Sequence, residues 1–119
     1  MSVRLVPAAQ TELDEAIHWY AHQAPGLGDS FLLEFLRTIQ LIERHPHGWH
    51  PLSNQTRRCR LRRFPYGVIY SQDAQGILVV AVAHLHRRPA YWQDRVNYPG
   101  FDATLVKRVF LGMTLMTYA

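Results

Sequence analysis

A chain of 119 residues can bury one hydrophobic core but not two. Its apolar content of 48% and charged content of 18% exclude a wholly disordered chain, and a single cysteine, Cys59, excludes an intrachain disulfide and fits a reducing cytosol. The net charge of +4 is unevenly spread: residues 1–46 hold three basic side chains against six acidic, residues 47–119 ten against three, and twelve of the thirteen basic residues are arginine. Arginine grips phosphate and carboxylate through parallel donors and stacks on flat rings, so the second part of the chain is expected to hold an anionic partner, nucleic acid or acidic protein. No apolar run is long enough for a signal peptide or membrane span, so a cytoplasmic protein is expected.

Ser2-Val3-Arg4-Leu5-Val6 alternates as a short strand, and Pro7 leads into a helix. Leu13, Ala16, Ile17 and Tyr20 fall on one face of that helix, with Glu12, Asp14 and Glu15 in its early turns, where the helix dipole favours them. Pro25-Gly26-Leu27-Gly28 breaks it, and Asp29 or Ser30 is positioned to cap a second helix running to about Arg44. Its apolar face is Phe31, Leu32, Phe35, Leu36, Ile39 and Ile42, and the aromatics Trp19, Tyr20, Phe31 and Phe35 are expected in the core.

Residues 45–51 (His-Pro-His-Gly-Trp-His-Pro) form a loop by composition, prolonged by Ser53-Asn54-Gln55. Its histidines stand as H-x-H-x-x-H, with no nearby cysteine or carboxylate to complete a shell, so no metal and no cofactor is expected. Strands are expected at roughly 57–64, 66–73 and 77–85, an antiparallel meander with the two helices on one face and arginines on the other. Cys59 alternates with Leu61 and is expected inside the sheet. Five arginines crowd residues 57–63 (Arg57, Arg58, Arg60, Arg62, Arg63). They protect an edge strand from aggregation or, since their mutual repulsion needs an answer, bind an acidic partner.

Gln93 to Val96 finishes a short helix in this reading, and Asn97-Tyr98-Pro99-Gly100 interrupts it. Residues 102–118 are patterned as a further helix, apolar nearly all round, which must be buried against the domain or a partner. The expected organisation is a domain over 1–96 and a helical tail over 97–119, with the tail a candidate oligomer contact.

Glu12-Leu13-x-Glu15-Ala16, Trp19-Tyr20, Pro25-Gly26-Leu27-Gly28 with Phe31, Arg63-Phe64-Pro65-Tyr66, Tyr70, and Ala81-Val82-Ala83-His84-x-x-Arg87-Arg88-Pro89-x-Tyr91-Trp92 follow one another in order. Together they resemble toxins of the RelE/ParE superfamily, from bacterial type II toxin–antitoxin modules. The resemblance implies an α+β fold, an N-terminal strand and a two-helix antiparallel hairpin packed on a small antiparallel sheet. It implies a cognate antitoxin as partner and one of two targets. RelE-like members cut mRNA on the ribosome, whereas ParE-like members poison DNA gyrase. Ribonuclease members commonly carry an arginine after the middle-strand tyrosine and a basic residue near the end of the last strand; here Gly67 follows Tyr66, and Leu85 aligns with the second position. Phe-Pro-Tyr and Arg-Arg-Pro-x-Tyr-Trp resemble the ParE-type, plasmid-stabilisation branch, which implies gyrase inhibition.

A metal-independent endoribonuclease remains the alternative. Attack by a 2′-hydroxyl needs a base, an acid and cations for the developing charge. Candidate catalytic residues on that reading are Arg62, His84, Arg87 and Tyr91, with His86 a second candidate acid or base. Arg57, Arg58, Arg60, Arg63, Tyr66, Arg88 and Trp92 are candidates for target or antitoxin binding. A third reading is a decayed member that only binds its antitoxin.

Overall fold

Pro7 decides the first change of direction. The structure, a computed structural model, describes residues 2–96, so the helix expected at 102–118 lies outside them. β1 (Ser2–Leu5) ends as the Val6 N–H donates to the Val79 carbonyl at 3.0 Å, and Pro7, lacking an N–H, cannot extend the ladder. Its fixed φ suits the first position of α1 (Pro7–Gln23). The helix begins early enough that its first turn holds no acid, which leaves Glu12 in the second turn for another task.

Gly26, at φ +79°, turns the chain into α2 (Leu27–Arg44) and is its N-cap; the expected caps Asp29 and Ser30 lie inside the helix instead. The left-handed turn places the helix start three residues earlier than side-chain capping suggested. Gly28 lets the two helices approach closely, since a Cβ there would sit 2.7 Å from the Ile17 carbonyl oxygen and 2.9 Å from Ala21 Cβ. Phe31, Phe35, Leu36, Ile39 and Ile42 are buried as the periodicity predicts. Burying each phenylalanine contributes about 1.5–3 kcal/mol.

The sheet runs β1-β5-β4-β3-β2, with β2 (His50–Pro51), β3 (Arg57–Arg60), β4 (Tyr66–Asp73) and β5 (Gly76–His84) antiparallel to one another in succession. β1 joins β5 in parallel, so the sheet is mixed rather than wholly antiparallel. Val3, Leu5, Cys59, Val68, Tyr70, Ile77, Val79 and Val82 face the helix hairpin in the main core. A register shift pairs Ile69 with Ala81 but Tyr70 with Val79, leaving Val80 as an extra residue. Val80 and Ala81 then both join Ile69, Ala83 and Trp92 in a second cluster on the opposite face. The short α3 (Gln93–Val96) follows Trp92. Among the described residues no helix is long and apolar enough to cross a membrane.

Arg4, 2% exposed, locks β1 to the β4–β5 turn by donating to Asp73 Oδ1 at 2.6 Å and Gln75 Oε1 at 3.1 Å. Partial burial raises the Asp73 pKa, but the Arg4 guanidinium and the backbone N–H groups of Gln75 and Gly76 more than offset this and hold it below the usual value. A carboxylate so depressed adds stability above its unfolded pKa of about 4 and loses it as pH falls through the lower folded value. Acid titration of unfolding should therefore show wild type losing stability below about pH 4 more steeply than Asp73→Asn. Parallel curves for the two would show that Asp73 has no part in acid sensitivity.

Candidate basic and aromatic surface at the sheet end

At one end of the sheet the β3–β4 turn and the exit of β5 lie side by side. Tyr66 pairs with His84, and the Leu85 N–H donates to the Pro65 carbonyl at 2.9 Å. β3 stops at Arg60, earlier than expected, because Leu61 to Pro65 curl into the turn, with the Leu61 N–H on the Tyr66 carbonyl. Arg62 and Arg63 are exposed there, while Phe64 is buried beneath them. A buried carboxylate fixes this turn: Glu34 of α2, 3% exposed, accepts the Arg62 N–H at 2.9 Å.

A second carboxylate organises the other side. Beyond Val79 the edge of β5 has lost β1, and side chains take the place of a strand. Glu12 accepts the Val82 N–H at 3.0 Å, the Tyr91 phenol at 2.6 Å, and the two terminal nitrogens of Arg95 at 2.8 and 3.2 Å. Arg95 also donates to the Val80 carbonyl at 3.1 Å. Two guanidinium groups lie over the Tyr91 ring, Arg87 at 4.2 Å and Arg95 at 5.1 Å from its centroid. Burial, then the hydrogen bond and charge of Glu12, push the Tyr91 pKa far up, so its proton is held rather than available for transfer.

The sequence-derived candidates divide accordingly. Arg62, Arg63, Arg87 and Arg88 are exposed at this end, and the His84 ring lies 5.1 Å from both Tyr66 and His86. Tyr91 is committed to Glu12. Trp92, expected at the binding surface, is instead buried against Ile69, Ala81 and Ala83. Arg57 donates to the Trp49 carbonyl at 2.9 Å, and Arg60 is exposed at the end of β3. Arg58 crosses to Gly67: a Cβ on that glycine would lie 3.0 Å from the arginine's methylenes.

Tyr66 is half-buried among Tyr20, Phe31 and His84, and burial, with Tyr20 adding to it, raises its pKa. Cys59 is 1% exposed, and burial lifts its thiol to about 11, so it is no nucleophile. Of the expected core aromatics, Trp19 is the exception, 56% exposed. A recess of about 630 Å³ lies elsewhere, lined by Pro46, Thr56, Arg57 and Tyr70. The sequence does not mark Glu34 or Arg95, and it marks Glu12 only as an early-turn acid favoured by the helix dipole and as part of Glu12-Leu13-x-Glu15-Ala16, not for these contacts.

The family model of the ParE toxin of type II toxin–antitoxin system, parDE, matches residues 3–89. Among solved structures, a chain of the "Chromosomal ParDE TA system from P. aeruginosa" is similar in fold, with a TM-score of 0.61 and 16% identity, covering 71% of this chain and 95% of that one. No curated protein matches this sequence. The family match stops short of Tyr91, Trp92 and Arg95.

Proposed function

Because the chain belongs to the ParE toxin family of type II toxin–antitoxin systems, we propose that it arrests growth in the bacterial cytoplasm by inhibiting DNA gyrase and is neutralised by a cognate antitoxin. The observation that supports gyrase over RNA is the Glu12–Tyr91 contact of 2.6 Å. On the ribonuclease reading Tyr91 needs to be free to exchange a proton with the reacting hydroxyl; Glu12 holds it, which leaves that reading only His84 and His86 as acid and base. What this end of the sheet presents is guanidinium groups: Arg62 and Arg63 on one turn, Arg87 and Arg88 on the next. Carried on two neighbouring turns, they suit recognition of an anionic protein surface more than acid–base chemistry.

Induced expression without antitoxin, with pulse labelling of DNA and protein synthesis, tests this reading. DNA synthesis is expected to fail first. Early failure of protein synthesis would replace gyrase with the ribosome and return His84 and His86 to the role of acid and base.

A further inference from the structure

His18 and His22 stand four residues apart on α1, both exposed, so their side chains are neighbours on one helix face. The ring centroids are 4.4 Å apart, with the planes tilted by 58°. Nδ1 of His22 lies 2.9 Å from the His18 carbonyl oxygen. A carbonyl only accepts, so in the neutral ring Nδ1 carries the proton and Nε2 keeps its lone pair. We propose that the two imidazoles chelate one divalent transition-metal ion, zinc or copper, with water in its remaining positions. The site stands independently of the target and of the antitoxin.

A histidine that binds a metal through one ring nitrogen typically donates its other N–H to a carbonyl or carboxylate, which fixes its tautomer and orientation. His22 already has that arrangement, so one ligand is set before the ion arrives. His84 is the contrast: its Nδ1 accepts the His86 N–H at 3.1 Å, which spends a lone pair on the backbone. Distance fits as well. Two nitrogens bound to one ion at roughly 2.0–2.1 Å lie about 3 Å apart, a separation that rings with centroids 4.4 Å apart can span. Charge favours the ion. Helix α1 carries Glu12, Asp14 and Glu15 and no lysine or arginine, and among the described residues only Glu12 of the three is ion-paired. His22 lies in the last turn, where the helix dipole favours a cation. Among the described residues no three His, Cys, Asp or Glu side chains gather to hold a metal, so the chain supplies two donors here. Imidazole selects copper and zinc over magnesium. The histidines of the 45–51 loop gave no reason to expect a metal, and this pair lies on another element.

Calorimetric titration of the full chain with zinc, copper and magnesium chlorides in turn tests the site. Wild type should bind one zinc or one copper ion, copper the tighter, and no magnesium. His18→Ala and His22→Ala should each weaken zinc binding at least about tenfold, because the second imidazole on the same helix acts at high effective concentration. His47→Ala, in the loop, should change it less than about twofold. Both helix positions are exposed and alanine is the better helix former, so lost binding cannot come from an unfolded helix. His22→Gln with Gln23→His keeps the number of histidines but turns one ring by about 100° around the helix, and should bind no better than His22→Ala. Nitrogen NMR of wild type with zinc should show the ion on Nε2 of His22 and the proton still on Nδ1. Absence of zinc and copper binding in wild type overturns the proposal, as does full zinc affinity in either alanine variant or in the shifted pair. An equal loss in His47→Ala would place the ion in the loop and overturn it too. So would zinc on Nδ1 of His22, since the His18 carbonyl would then not orient the ring.

Discussion

Glu12→Ala should destabilise the protein by about 3–5 kcal/mol, the effect of removing one partner from a buried charge pair. Exposed ion pairs contribute far less, but here the side chains of Arg95 and Glu12 are only 22% and 13% exposed. The substitution would strand the Arg95 charge, the Tyr91 hydroxyl and the Val82 N–H together. Only Arg95 would keep a partner, the Val80 carbonyl. For a domain of this size the melting temperature should fall by more than about 10 °C. Glu12→Gln separates charge from hydrogen bonding: its amide oxygen can still accept from Val82 while the guanidinium goes unanswered, so its loss should be intermediate. Urea unfolding of the three proteins measures both effects. A loss below about 1 kcal/mol for Glu12→Ala would mean that water replaces the carboxylate and that residues 91–96 are not anchored by it.

The elements were legible in the sequence because each is a local pattern. The 3.6-residue spacing of Phe31, Phe35, Ile39 and Ile42 names a helix face, and Pro7 and Pro25-Gly26 mark turns, whatever the tertiary structure. Placement of α2's first residue failed for a local reason as well: a glycine in left-handed geometry replaced a side-chain cap, and both begin helices. The parallel docking of β1 was hidden because it depends on where a helix hairpin returns the chain. Glu12 was hidden more deeply. Its partners lie 70 to 83 residues away, and nothing in Glu12-Leu13-x-Glu15 distinguishes a carboxylate that caps a strand edge from one that faces water. Trp19 erred in the opposite sense. Its aromaticity argued for the core, but Tyr20, the next residue, turns toward Phe31 and Phe64, which leaves the indole 56% exposed.

Arg87→Ala with Arg88→Ala should abolish growth arrest at expression levels where wild type stops division, and should reduce antitoxin affinity only in part. Both side chains are exposed on the turn after β5, so the fold should lose no more than about 1 kcal/mol. The functional loss should be much larger. An arginine at the centre of an interface is worth about 2 kcal/mol or more, roughly a 30-fold change in affinity for each side chain if the two act independently. Arg87 is the stronger candidate, because the Tyr91 ring 4.2 Å away already restricts its guanidinium, and less freedom is lost on binding. Arg87→Lys decides what the residue supplies. Lysine retains the charge but neither the flat stack nor the paired donors, so rescue by lysine would reduce the role to electrostatic attraction, and continued loss would require the planar group. If the double alanine variant arrests growth as wild type does, the toxic surface is not at the exit of β5. Arg62 and Arg63, on the neighbouring turn whose Arg62 N–H is held by Glu34, would then be the arginines to replace.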